Sequence, residues 1–312
     1  MTEARKGVLA MVVACLIWGA SGLYYKQLAH VPPLEVLSHR TLWSAVIFAV
    51  LLALQGQLRQ LRGLLSGVTL LRVALAALMI SSNWFLFIYS VQAGHAVEAS
   101  MGYYIFPLVA VLLGVFAFGE RLSRGQGMAV LLAALAVAVL TWGLGVAPWI
   151  ALAIAGSFGL YGLVKKRLGA PPVASVTAEV LVLAPLAVLW LWLVGSGRVL
   201  EGGRPGGHFL DDPATAALLV FSGVLTAGPL MLFTYAAARV RMATLGLLQY
   251  INPTGQFLVA VLVFAEPFTR WHAGAFGLIW AGLALYSAEA LRQDRAARKA
   301  IRSAATSGSA LT

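Results

Sequence analysis

The chain has 312 residues, of which 61% are hydrophobic and only 11% charged, and its net charge is +11. A water-soluble domain averages about 45–50% apolar and about 25% charged residues, so this composition excludes an ordinary soluble fold and fits a chain solvated by lipid. The basic excess does not indicate a nucleic-acid partner, because the Lys and Arg residues cluster in particular short connections, as they do where charge sets membrane topology.

A membrane-spanning helix needs about 20 mainly apolar residues. Arg5 and Lys6 precede an apolar run with no convincing small-residue cleavage site, which reads as an uncleaved first helix over about 7–28. Further spans are expected over about 34–54, 70–91, 97–118, 126–143, 148–166, 173–194, 214–236, 243–265 and 271–290, ten in all. The boundary between the fifth and sixth is the least defined, and Gly195–Pro213 is the only long connection. If the helices alternate from an N-terminus on the inside, sixteen Lys and Arg residues fall in inside segments and four outside. That bias places both termini in the cytoplasm of a bacterial inner membrane.

The chain repeats itself. Positions 83–124 align without a gap to 229–270, with Tyr104, Ile105 and Pro107 matching Tyr250, Ile251 and Pro253, and with Glu120 and Arg124 matching Glu266 and Arg270. Gly19, Gly22, Leu23 and Lys26 match Gly159, Gly162, Leu163 and Lys166. Two repeats are therefore expected, 7–143 and 148–290, followed by a basic cytoplasmic tail at 291–312 that reads as disordered and membrane-apposed. Each repeat holds five helices, an odd number, so the second enters the membrane inverted. Inverted repeats are the architecture of many secondary transporters, with the site near mid-membrane at the repeat interface.

Pro107 and Pro253 fall in the middle of the fourth and ninth spans. Proline removes a donor and clashes with the carbonyl four residues earlier, here those of Tyr103 and Gln249. Matching helix breaks in two halves point to a substrate site, whereas a plain packing kink is the alternative. Gln249, Asn252 and Gln256 share one helical face beside Pro253, either lining a cavity or bonding neighbouring helices. Tyr103, Asn83, Trp84 and Trp18 are mid-span polar or aromatic residues that read as cavity wall or as core. His39, Arg40 and Glu179 are ionisable groups inside spans and functional candidates for that reason, with snorkelling to the nearer interface as the alternative. Glu35 and Glu98 are the expected partners of Arg40. Glu179 and His39 are the candidates to carry a coupling proton. Glu120, Arg121 and Glu266 read as helix-end charges. There is no phosphate-binding glycine loop, metal-ligand cluster or nucleophile elbow, and Cys15 is the only cysteine. No cofactor, no metal and no catalytic residue is expected, so the chain does not read as an enzyme.

A resemblance to a known family covers residues 7 to 290. Gly7-Val8-Leu9, Ile17-Trp18-Gly19, Ser38-His39-Arg40, the run Asn83–Phe87, the run Glu98–Tyr103, the run Ser157–Leu163 and the run Leu245–Pro253 resemble the EamA group of the drug/metabolite transporter superfamily. The resemblance implies an all-α integral membrane fold of ten helices in two repeats, a central cavity formed by both halves, and transport of a small-molecule substrate. The expected function is a secondary transporter, an exporter of amino-acid-like metabolites or amphipathic drugs, working as a monomer or homodimer. A passive channel or facilitator, or a membrane scaffold that transports nothing, is the alternative.

Overall fold

The computed structural model describes residues 2–119, 122–200 and 206–308, with Glu120 and Arg121 outside the described residues. Every regular element among them is helical: α1 (Glu3–Gln27), α2 (Pro33–Leu54), α3 (Arg59–Leu64), α4 (Gly67–Ala93), α5 (Ala96–Phe118), α6 (Arg124–Leu144), α7 (Trp149–Leu168), α8 (Pro172–Gly195), α9 (Pro213–Ala237), α10 (Met242–Leu248), α11 (Ile251–Leu258) and α12 (Arg270–Gly308). Hydrocarbon offers backbone groups no partners, so a spanning chain satisfies them within its own helices. Eight stretches among the described residues are long and apolar enough to cross a membrane. By the same measure α7, which ends in Lys165-Lys166-Arg167, and α12 fall outside the eight.

Local sequence sets the helix ends. α2 and α8 each begin with a proline at the first helical position, where its fixed φ suits the helix and its missing N–H costs nothing. Ser123 and Gln126 form a reciprocal capping box on α6, and the Asp212 carboxylate accepts from Ala214 and Thr215 N–H to cap α9. Gly94, Gly119, Gly145 and Gly169 close four helices in the left-handed conformation that an L side chain resists.

Four differences from the sequence expectation are visible. The connection after α2 contains the short helix α3, which packs against α8. The tail expected to be disordered continues α12 to Gly308, in keeping with its run of alanine, arginine and lysine, all strong helix formers. The ninth span is broken at Gln249–Tyr250 and ends in a π-helical turn, Val259–Val263. The matching break expected at Pro107 is absent, and α5 is one helix from Ala96 to Phe118. The two prolines are in unequal surroundings. Gly102, a turn before Pro107, lies so close to α7 that a Cβ there would sit 2.7 Å from the Ala151 carbonyl oxygen. At Pro253 the carbonyl of Gln249 is taken instead by the Asn252 N–H at 3.1 Å, which tightens the chain and ends α10.

The packing is paired. α1 lies against α9 and α11, while α7 lies against α4 and α5; α2 packs on α8, and α6 on α12. Close approaches use small residues, as expected where lipid supplies no hydrophobic drive between helices. Gly19 of α1 meets Gly255 and the Asn252 carbonyl of α11, and a Cβ on either glycine would come within about 3.1 Å of the other helix's backbone.

Candidate functional site

A cavity of about 900 Å³ runs through the bundle between α1, α2, α4 and α5 on one side and α7, α9 and the broken α10–α11 pair on the other. It reaches the end at which α1 begins, the near end, where Ser123, Gln126, Ser287 and Leu291 form its rim.

The far end is closed by polar contacts. The Glu266 carboxylate accepts from the Ala96 and Val97 N–H groups, one to each oxygen at 2.8 Å, at the positive end of α5. Lys26 donates to the Val91 carbonyl, and Gln92 donates to the carbonyls of Leu28 and Val31. Tyr24 donates to the Leu218 carbonyl. The last part of the α8–α9 connection folds inward: the buried Glu35 carboxylate takes the His208 N–H and lies 2.7 Å from His208 Nδ1, and Phe209 stacks on His39 with centroids 4.8 Å apart.

Most residues singled out in the sequence line this cavity. Trp18, Arg40, Asn83, Trp84, Tyr103, Gln249, Asn252 and Gln256 do so, together with Pro107 and Pro253. Asn83 is held from three sides: its Nδ2 donates to the Ile154 carbonyl (3.0 Å) and to Ser157 Oγ (3.2 Å), and its Oδ1 accepts from the Tyr103 hydroxyl at 2.8 Å. Gln256 Nε2 donates to Asn252 Oδ1 at 3.1 Å, leaving Gln256 Oε1 buried without a partner. His39 does not line the cavity; one residue from Arg40, it is turned about 100° around α2 onto Phe209.

The two intramembrane charges have different surroundings. Arg40 is 8% exposed; its Nε donates to Thr226 Oγ1 at 2.9 Å, and its guanidinium lies 4.0 Å from the Trp84 ring centroid and 5.8 Å from that of Tyr25. Neither expected carboxylate partner is in place. Glu35 is held by His208, and Glu98 pairs with His95 at 3.2 Å. Glu35 is five residues before Arg40, more than a helical turn, and faces the α8–α9 connection instead.

Glu179 is fully buried and saturated. Lys165 Nζ lies 2.7 Å from its Oε1, Ser175 Oγ donates to the same oxygen at 2.9 Å, and the Tyr161 hydroxyl donates to Oε2 at 3.1 Å. Lys165 also donates to Ser175 Oγ. Glu179 itself is not a wall residue, but Lys165 and Tyr161 are.

Sequence reasoning missed Lys165, Tyr161, Ser175, Thr226 and Tyr25. A signal existed for the first three: Tyr161 and Lys165, and likewise Ser175 and Glu179, are four residues apart on helices joined by a short turn, so each pair shares a face. Thr226 carries no such signal, because its hydroxyl also suits a bond to its own helix, which it makes to the Ser222 carbonyl at 3.0 Å.

Comparison with known proteins identifies the family. Residues 5–142 match the model of the EamA-like transporter family. An uncharacterized transporter of Vibrio cholerae is 40% identical over 96% of this chain and 97% of its own length. Protein RarD of Escherichia coli is 36% identical over 95% of this chain and 99% of its own. A solved crystal structure superposes with a TM-score of 0.59 over 90% of this chain and 96% of that one; at 21% identity it speaks for the fold alone. The chain therefore belongs to the EamA-like transporter family, among its RarD-type members.

Proposed function

We propose that this protein is a secondary transporter that moves small organic molecules across the bacterial inner membrane by alternating access, in the exporting direction. The observation that carries the reading is a cavity of about 900 Å³ with polar groups at mid-depth, reached from one end and stitched shut at the other. A volume of that size accommodates a drug-sized molecule. The near end is cytoplasmic on the charge bias of the connections, which makes the conformation inward-open.

Ten spans in two inverted repeats, 7–143 and 148–290, account best for the packing. α7 and the first part of α12 complete the set of ten, and residues 291–312 form the cytoplasmic tail. Exchanging the first five spans for the last five turns the contact of α1 with α9 and α11 into that of α7 with α4 and α5. Gly19 against Asn252 and Gly255 has its counterpart in Gly159 against Val109 and Ala110. Such a pairing supplies a second arrangement, open to the other side, at similar energy. The cavity lies within one chain, so a monomer is sufficient.

Among the candidates for a coupling proton, Glu179 is favoured over His39 because its partner Lys165 lines the cavity. The test is uptake into proteoliposomes of a labelled panel of amino acids and amphipathic drugs, with and without an imposed pH gradient. Gradient-driven accumulation that Glu179→Gln abolishes is the expected result. Equilibration without accumulation would make the protein a facilitator, and absence of flux across the panel would favour a scaffold.

A further inference from the structure

We propose that Arg40 is the charge-reading residue of the cavity and that the ligand it takes is a monoanionic carboxylate with an apolar, ring-bearing body. The inference rests on the transporter reading only in calling that ligand a substrate.

The argument begins with a charge balance. Arg40 is buried inside a membrane-spanning helix, and no carboxylate pairs with it among the described residues. Four acids of the span region have other partners among the described residues. Glu35 is used by His208, Glu98 by His95, Glu179 by Lys165, Ser175 and Tyr161, and Glu266 by the first N–H groups of α5. The protein thus offers Arg40 one hydroxyl and two ring faces. A buried guanidinium is retained at a cost unless a counter-charge completes it, and the open side of this one is the cavity.

The geometry narrows the class of anion. Thr226 occupies Nε, leaving the paired terminal N–H groups of the guanidinium, whose planar fork matches two oxygens of a carboxylate. The other cation of the wall, Lys165, is already neutralised by Glu179. The uncompensated charge in the cavity is therefore a single positive one, which suits a carboxylate better than a phosphate dianion. Trp18, Trp84, Phe106 and Phe158 line the same cavity and give a ring-bearing body flat apolar surfaces to lie against. With Lys165 paired to Glu179 in this conformation, the anion is held at Arg40.

The experiment measures binding to the purified full-length protein of three probes of one shape: phenylacetate, its uncharged amide phenylacetamide, and the cation phenethylamine. Phenylacetate is expected to bind about tenfold or more tightly than the amide, as one charge-assisted contact implies, and the amine not to saturate. Arg40→Gln is expected to erase the difference between acid and amide, and Arg40→Lys to keep part of it. Equal or tighter binding of the amide to the wild-type protein would overturn the proposal, and that comparison needs no variant to fold. So would unchanged phenylacetate binding in Arg40→Gln, no saturable binding of any of the three, or full displacement of phenylacetate by an equal concentration of chloride. Flux of uncharged compounds without carboxylate binding would sink this inference and leave transport standing. Carboxylate binding at Arg40 with no flux of any compound would do the reverse.

Discussion

Arg40 and Glu179 each stand seven residues after the proline that opens their helix, one in α2 and one in α8, yet the protein treats them in opposite ways. Glu179 has its charge matched by Lys165 and its oxygens filled by two hydroxyls. Arg40 has one hydroxyl and two aromatic faces. The first charge is a closed account within the protein, and the second is left for something that enters the cavity. Position in the sequence is the same; what differs is which neighbouring helix brings an opposite charge to it.

The comparison can be broken most forcefully at Glu179. Glu179→Leu alone strands a mostly buried ammonium on Lys165 and is expected to destabilise the protein by about 3 kcal/mol, the low end of the range because Lys165 is a fifth exposed. The double variant Lys165→Met with Glu179→Leu is expected to recover most of that loss, since replacing a buried ion pair by apolar groups is often near neutral. Thermal unfolding in detergent measures both. Failure of the double variant to recover would show that the hydroxyls of Tyr161 and Ser175, and not the ion pair, set the energy.

Next comes the seal at the far end. Glu266→Gln replaces a carboxylate that accepts two N–H bonds by an amide with one acceptor oxygen, at a cost of about 1–2 kcal/mol to the closed arrangement. A thiol placed beneath the seal by Ser100→Cys, at a fully buried position, should then react with an impermeant reagent several times faster. An unchanged rate would mean that the other contacts of the far end hold it closed without Glu266.

Arg40→Gln is expected to have a smaller effect on stability, within about 1 kcal/mol, because no carboxylate is orphaned and only a hydroxyl bond and ring contacts are lost. A loss as large as that of Glu179→Leu would erase the distinction drawn between the two charges.

The smallest effect concerns Asp212. The hydrogen bonds it accepts from the Thr215 hydroxyl and N–H hold its carboxyl below the usual 3.8. Its capping contribution is therefore complete above that value and is lost as the pH falls through the lower folded-state value. Asp212→Asn should lower the melting temperature slightly at neutral pH, leave it unchanged in strong acid where the carboxyl is already protonated, and so flatten the acid limb of the profile.

Much of this molecule was legible in its sequence because lipid imposes a length and a composition on every span, and so the helix positions follow from apolar runs and charged connections. Polar residues in mid-span were equally visible, as the cavity positions of Asn83, Tyr103 and Asn252 illustrate. What the sequence did not disclose was pairing across helices. Arg40 was matched on paper with Glu35 and Glu98 by closeness to one surface, whereas rotation around the helix axis turned both carboxylates to other partners. Lys165 looked like a topology charge because it stands in a basic run; one residue of that run turns inward while its neighbour Lys166 does not line the cavity. The unequal behaviour of Pro107 and Pro253 is outside the reach of a local rule, which treats the two prolines alike.

The inward fold of His208 and Phe209 has a mechanical consequence. Near the end of the α8–α9 connection, His208 and Phe209 contact Glu35, His39 and Trp43 of α2. A Cβ on Gly207 would come within 2.9 Å of Glu35 Oε1, so the backbone there lies close against α2. Any tilt of α2 that opens the far end must either carry this segment along or tear it loose. His208 and Phe209 thus act as a clasp that fastens α2 of the first half to the second half of the chain.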